Sequence, residues 1–498
     1  MAAPELVQTA ESEVIELLLP EVARFLATEV HGDAIDRAGE IPASVREGAA
    51  RLGLFGMTIP ATHGGAGLSL GSAGRVVAEI ARVDRSVAIM IGLHAGLGTR
   101  GLVEYGAPAL RARWLPRLAS GECIASFAAT EAGAGSDLMA IRTTGRVTDR
   151  GLRIDGEKSY VTNGGFAGLF TLLVRTPGLG GARAHSLVCV PASTPGIQIG
   201  REEDKLGIRG SSTVTVSFDG ATVPMDHVLG VSGKGLEHAY ELLTWGRTLM
   251  SAGCVGTARA ALDATLAHVA TRRQFGRPVG DFGATRVHVA WMAARVRSME
   301  SLVASVSATH AAGASIETES AIAKVFCSDS AFEVCDRALQ LHGALGFLED
   351  TGVARMLRDC RITRIFEGAN DVLLVRIGAA MLADRTDHEV VCQPELRDLA
   401  DRVEGVERTL HHETRALAER LGVEAIRHQV ALQRIARARI DLRAAAAVIE
   451  RASGADVPLA RYAVELLIEE ARSWLDRLWW ADRDEAAARD MTDRMALR

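Results

Sequence analysis

Apolar positions along the chain change their spacing twice. Up to about residue 125 they recur at helical intervals, as at Val14, Leu17 and Leu18 and again at Val22, Phe25 and Leu26. Pro20 falls within that pattern and is expected to bend or split the helix. Pro60-Ala-Thr-His-Gly-Gly-Ala-Gly67 is a turn-rich break, and residues 107–118 read as a further helix. From about 126 to 235 the period becomes two. Residues 170–174, 186–190 and 213–218 read as strands, with turns at Asp155-Gly156 and Asp219-Gly220. Helical spacing returns from 236 to 385. After a linker-like stretch at 387–394 it continues to 498, with Leu432, Ile435, Leu442 and Ile449 on one face. The expectation is a mainly α protein in four parts: an N-terminal helical domain (1–125), a compact antiparallel β domain (126–235), a helical bundle (236–385) and a C-terminal helical extension (386–498).

Composition narrows the function. A chain of 498 residues has ample interior to bury, and Ala, Leu, Arg and Glu favour helix. The net charge of −6 is mild and the basic residues are dispersed, so nucleic-acid binding is not implied. No run of about 18 apolar residues stands out, and no membrane-crossing helix is expected. Glu5, Glu11, Glu13 and Glu16 make the start unlike a secretory signal or an Arg-rich transit peptide. The seven cysteines are scattered without a CxxC pair or metal-spaced histidines; they read as reduced thiols of a cytoplasmic protein with no metal site.

Several stretches carry candidate chemistry. Gly96-Leu-Gly-Thr-Arg-Gly101 matches the GxGxxG dinucleotide fingerprint, with 87–91 as a strand before it, but no second strand follows at βαβ spacing. The alternative is a helix whose Gly98 and Gly101 share a face, either for close packing or to leave a slot. The small residues in Phe127-Ala-Ala-Thr-Glu-Ala-Gly-Ala-Gly-Ser-Asp137 either form a turn or present backbone N–H groups to a flat or anionic ligand. Arg272 is a helix-end cation or an anion fork. Arg355, Arg358, Arg361 and Arg364 recur every third residue, as a solvated face would. Then one acid, Glu367, stands between Phe366 and Gly368. It is either an exposed loop acid before a helix or a base with raised proton affinity, approached closely across the glycine.

Arg361-Ile-Thr-Arg-Ile-Phe-Glu-Gly-Ala-Asn-Asp371 closely resembles the catalytic segment of the acyl-CoA dehydrogenases, the very-long-chain class in particular, and further blocks follow in that family's order over nearly the whole chain. The resemblance implies an FAD enzyme that oxidises an acyl-CoA thioester, of medium to very long chain, to the trans-2-enoyl-CoA. Glu367 would remove the α-proton while the β-hydride passes to flavin N5. Phe127, Ala129, Thr130, Gly135 and Ser136 would line the flavin, Ser136 also meeting the substrate. In Lys158-Ser-Tyr-Val-Thr-Asn-Gly-Gly165, Thr162 would bond near N5, and Tyr160, where tryptophan is usual, would cover the ring. Arg272 and Phe275 would hold the FAD pyrophosphate and adenine across a subunit boundary, with Gln340, Gly343 and Ala344 of a Gln-x-x-Gly-Gly-x-Gly-like block beside them. Ala369 and Asp371 follow the base, Ala369 replacing a threonine. Arg247 would support substrate, Gly368 would border it, and glycine at 246 leaves Glu367 as the base. Gly98 and Gly101 would deepen the acyl pocket.

The same resemblance implies a homodimer, with the extension covering the surface that smaller relatives use to form tetramers, and an electron-transferring flavoprotein as acceptor. The insert tied to membrane contact is mostly missing, so membrane association is not implied; Trp474, Trp479 and Trp480 are expected to be buried against a partner domain. Alternatives are an oxidase or pathway-specific thioester dehydrogenase of the same fold, and a non-catalytic acyl-CoA protein, against which the intact Glu367 argues.

Overall fold

The computed structural model describes residues 3–383 and 390–495; the linker-like positions 387–389 lie outside the described residues. Seven helices come first: α1 (Ala3–Glu29), α2 (Gly32–Ala38), α3 (Ala43–Arg51), α4 (Leu70–Val83), α5 (Arg85–Leu93), α6 (Thr99–Tyr105) and α7 (Pro108–Ala119). Pro20 does not divide α1. It sits on the solvent side, where water can satisfy the carbonyl that a proline leaves without a donor. The buried stripe of α1 is Ile15, Val22, Phe25 and Leu26, whereas Val14 and Leu17 (76% exposed) face outward. Ser69 caps α4 through the Ser72 N–H, and Asp84 caps α5 through the Val87 N–H.

The dinucleotide motif is helical. A π-turn at His94–Gly98 joins α5 to α6 without a strand. It is tied to the sheet by the Ala125 N–H donating to His94 Nδ1 at 2.9 Å and by Thr171 Oγ1 donating to the Gly98 carbonyl at 2.8 Å. The run Arg85–Tyr105 is, by length and composition, apolar enough to cross a membrane, contrary to the expectation from sequence. Yet 72% of its apolar window is buried within the protein, as a core helix would be.

Strands β1 (Ala125–Ala128), β2 (Thr144–Thr148), β3 (Gly151–Thr162), β4 (Leu169–Arg175), β5 (His185–Pro191), β6 (Ile197–Glu202), β7 (Thr213–Val223) and β8 (Val228–Leu229) form one sheet in the order β6-β7-β3-β2-β4-β5-β8, with β1 against β4. The sheet is mixed rather than purely antiparallel, because β1 and β2 both pair with β4 in parallel. Asp155-Gly156 and Asp219-Gly220 are not hairpin turns. They face each other as a bulge in the β3–β7 ladder, where the Gly220 N–H donates to Asp155 Oδ1.

The second helical region is built on α8 (Gly235–Thr271), followed by a small hairpin of β9 (Arg273–Gln274) and β10 (Arg277–Pro278), then α9 (Gly283–Ala311), α10 (Glu317–His342), α11 (Ala344–Phe347), α12 (Val353–Arg361) and α13 (Asn370–Ala383). Helix α8 is buried on nearly every side, between α4 and α5 on one flank and α9 and α10 on the other. The extension adds α14 (Arg397–Leu421), α15 (Gln429–Arg451), α16 (Val457–Asp476) and α17 (Ala481–Arg494). Leu432, Ile435, Leu442 and Ile449 bury the inner face of α15, which lies on α13 and α9. Its approach to α13 is close: a Cβ on Gly378 would stand 2.1 Å from the Leu432 carbonyl oxygen. Trp474 is half-buried, with the Arg437 and Arg477 guanidinium groups over its ring, while Trp479 and Trp480 remain exposed.

Candidate active site

A cavity of about 290 Å³ opens where α4, α5 and α8 meet the loop after β1, the end of β3 and the turn before α13. Its walls are mainly apolar, including Leu97, Leu249 and Phe366, and one carboxylate enters it, that of Glu367.

Glu367 and Gly368 both have left-handed backbones, at φ +55° and +100°. Glycine accepts this without a Cβ clash; glutamate does not, so the conformation must be held from outside. Two buried cations hold it. Arg247 Nε donates to the Glu367 carbonyl at 3.0 Å, and Lys324 Nζ donates to the Gly368 carbonyl at 2.7 Å. Lys324 is fully buried and also donates to Asn370 Oδ1. Asn370 in turn donates to Ser328 Oγ and Asp329 Oδ1.

The Glu367 side chain keeps only partial exposure, toward the cavity it lines, and its Oε2 is enclosed with no hydrogen-bond partner. Burial therefore pushes its pKa up to about 7, against the pull of Arg247, Lys324 and Arg85. The Glu367 N–H likewise has no partner among the described residues. An acid with these properties is suited to take up a proton near neutral pH from a group lying in the cavity.

The opposite wall comes from the sheet. The β3 ladder breaks between Lys158 and Val161, and the bulge turns Tyr160 outward (φ +56°, 66% exposed) beside Thr162 at the cavity edge. Buried Lys158 ties this strand to the loop after β1, donating to the Ala129 carbonyl and to Glu131 Oε1, both at 2.9 Å. Glu131 also accepts the Arg142 and Thr143 N–H groups, so it organises the loop rather than facing the cavity. Phe127, Ala129, Thr130, Gly135, Ser136, Tyr160, Thr162, Arg247, Glu367 and Gly368 are thus brought together around one space.

Other candidates lie elsewhere. Gly98 and Gly101 do not line the cavity. A Cβ on Gly98 would meet Ala125 at 2.9 Å and one on Gly101 would meet Leu242 at 3.2 Å, so these glycines allow close packing instead of a deeper slot. Ala369 and Asp371 sit just outside, at the start of α13. Arg272, Phe275, Gln340, Gly343 and Ala344 gather at one end of α8 and α10, where His268 stacks on His342 at 4.3 Å. They line no part of this cavity, and Phe275 is 91% exposed.

The arginines at three-residue spacing are not a solvated face. Arg355 is buried against Asp33, Asp84 and Asp359, Arg358 pairs with Asp36 and Glu349, and Arg364 pairs with Asp329. Only Arg361 of the four is exposed. Sequence reasoning also passed over Lys324 and Arg85. A lone lysine inside the apolar run Ala321-Ile-Ala-Lys-Val-Phe-Cys was a usable signal for the first; Arg85, beside a capping Asp84, gave none.

Residues 12–122, 126–221 and 233–382 match the models of the N-terminal, middle and C-terminal domains of acyl-CoA dehydrogenases. A Bacillus subtilis protein named acyl-CoA dehydrogenase is 32% identical over 350 residues, 70% of this chain and 92% of that one. The chain belongs to the acyl-CoA dehydrogenase family. A mouse relative in the acyl-CoA dehydrogenase family, the mitochondrial very-long-chain specific enzyme, is 36% identical over 379 residues, 74% of this chain; the match spans only 58% of that protein's length. The solved Bacillus anthracis acyl-CoA dehydrogenase complexed with FAD superposes with a TM-score of 0.84 at 25% identity, over 94% of this chain and 88% of that one, so the fold it shares includes the helical extension.

Proposed function

We propose that this protein is an FAD-dependent acyl-CoA dehydrogenase that converts an acyl-CoA to its trans-2-enoyl thioester. The observation that carries the reading is the enclosed, unpartnered Glu367 Oε2, aimed into an apolar cavity whose far wall is made of small residues, Thr130, Thr162 and an outward-turned tyrosine. Those residues suit a flat, polar-edged ring. Thr130, Thr162 and Ser136 offer hydroxyls, and a Cβ on Gly135 would meet nothing within 4 Å, which leaves room for close approach. FAD, when bound there, supplies the two-electron acceptor for the β-hydrogen.

The chain's own residues do the rest. Glu367 takes the α-proton. Its N–H is free to donate to the thioester oxygen, where charge develops as that proton leaves. Arg247 and Lys324 fix both groups by gripping successive carbonyls of one turn. The apolar walls exclude water, which keeps the acid's affinity for a proton high. Because Gly98 and Gly101 face away from the cavity, acyl selectivity rests on the side chains at its deep end.

The proposal includes a homodimer. Exposed Phe275 and Phe347, with Arg272, Gln340 and Gly343 at the same end of the bundle, would then complete the partner's cofactor site, since an arginine fork suits a pyrophosphate. An electron-transferring flavoprotein as acceptor and a reducing, cytoplasmic setting complete it; all seven cysteines are free thiols. The deciding experiment is Glu367→Gln: the variant should bind FAD and acyl-CoA yet leave the flavin absorbance unbleached. Normal bleaching would remove Glu367 as the base.

A further inference from the structure

Arg85 lines the cavity from the first turn of α5, beside Val77, Ala88, Met250 and Gly253. It is 2% exposed. Its contacts are long and uncharged: Nη1 to Thr257 Oγ1 at 3.4 Å, Nη2 to the Met250 carbonyl at 3.5 Å and to Cys254 Sγ at 3.3 Å. Nε has no partner at all. Among the described residues no carboxylate lies within ion-pair distance of it. The adjacent Asp84 is already engaged with the Val87 N–H and with Arg355. A guanidinium does not lose its proton, so a full positive charge is enclosed with no acid in direct contact.

The neighbouring helix makes room for that group. A Cβ on Gly253 would stand 3.0 Å from Nη1, so glycine keeps the guanidinium clear on the cavity side. Arg85 and Glu367 both line this cavity of about 290 Å³, so base and cation share one small space. A simple hydrocarbon tail would leave this charge unpaired on binding. A terminal carboxylate would satisfy it with the paired, charge-assisted bonds that suit a guanidinium.

We propose that Arg85 receives a carboxylate at the distal end of a short acyl chain, so that the substrates are CoA monothioesters of dicarboxylic acids. This rests on the dehydrogenase reading and specifies its substrate class. Asp84 and Asp359 lie nearby, and a role for Arg85 as their background counter-charge is the outcome that would overturn it.

The test uses the FAD-loaded protein with acyl-CoAs of four to eight carbons, each methyl-ended thioester set against the carboxylate-ended one of equal length (pentanoyl- against glutaryl-CoA, hexanoyl- against adipyl-CoA). Flavin bleaching gives kcat/KM, and calorimetry on Glu367→Gln gives Kd without turnover. The expected result is a preference for the carboxylate-ended member, at its best length, of about 10²-fold or more. Arg85→Met should reverse that preference, and Arg85→Lys should retain part of it. If methyl-ended thioesters are preferred at every length in the unaltered protein, the assignment is wrong; this comparison decides even if Arg85→Met fails to fold. If the methyl-ended series bleaches the flavin while the carboxylate-ended series neither binds nor reacts, the subsite fails and the dehydrogenase reading stands. If no thioester of either kind binds at these lengths while palmitoyl-CoA bleaches the flavin, the subsite fails and the dehydrogenase reading stands; if palmitoyl-CoA fails as well, both fall.

Discussion

Glu367 occupies the space that a side chain at position 246 would need: a Cβ built on Gly246 would lie 2.8 Å from Glu367 Oε2. The base from the turn before α13 and the bare backbone of α8 are therefore one steric unit, formed by residues 121 positions apart in the chain.

Gly246→Ala should displace the Glu367 carboxylate by the few tenths of an ångström to an ångström needed to relieve that contact. Misplacement on this scale lowers catalysis by up to about 10²-fold. The expected outcome is a fall of that order in kcat, with FAD content unchanged, read by stopped-flow bleaching. An unaltered rate would mean that the carboxylate is free to move.

The pH dependence follows from the buried base. Glu367 acts deprotonated, and burial raises its pKa to about 7. The value of kcat/KM should accordingly be low in mild acid, rise through about pH 7 and level off above it. A profile already flat from pH 5 upward would place the proton acceptor on another group.

Lys324 is a positioning residue for the same step. Its charge lowers the Glu367 pKa while its ammonium holds the Gly368 carbonyl. Lys324→Met should shift the acid limb of the kcat/KM profile to higher pH and reduce the plateau. A plateau loss with an unmoved limb would leave it a structural role alone.

The extension reaches the site through the Asp329 carboxylate. Asp329 Oδ2 accepts from Arg437 Nη1 of α15 at 2.8 Å, while its Oδ1 accepts from Arg364 and from Asn370, the residue that Lys324 also grips. Arg437→Ala should lower kcat by about 2- to 30-fold, the span of coupling energies found for residues between sites. Steady-state kinetics beside a melting curve would separate this from loss of fold.

Much of this protein was legible along the chain because periodicity reports which face of an element is buried. The change from helical spacing to period two near residue 126 and back near 236 marks where burial switches from one stripe of a helix to one face of a sheet, and the inner face of α15 follows the same rule. The segment around Glu367 was legible as chemistry through its resemblance to a catalytic segment; by itself, an acid between an aromatic residue and a glycine suits an exposed loop equally well. Local rules misjudged what distant contacts decide. Asp155-Gly156 and Asp219-Gly220 have turn composition but became a bulge because both strands continue to pair beyond them. Gly98 and Gly101 are small because a strand and a helix press on them. Whether a charged side chain faces water or the interior depends on what the fold brings against it. The arginines from 355 to 364 could therefore be counted in the sequence, but only the packed structure shows that three of them are ion-paired, and that Arg85 is enclosed in the wall of a cavity with no acid in contact.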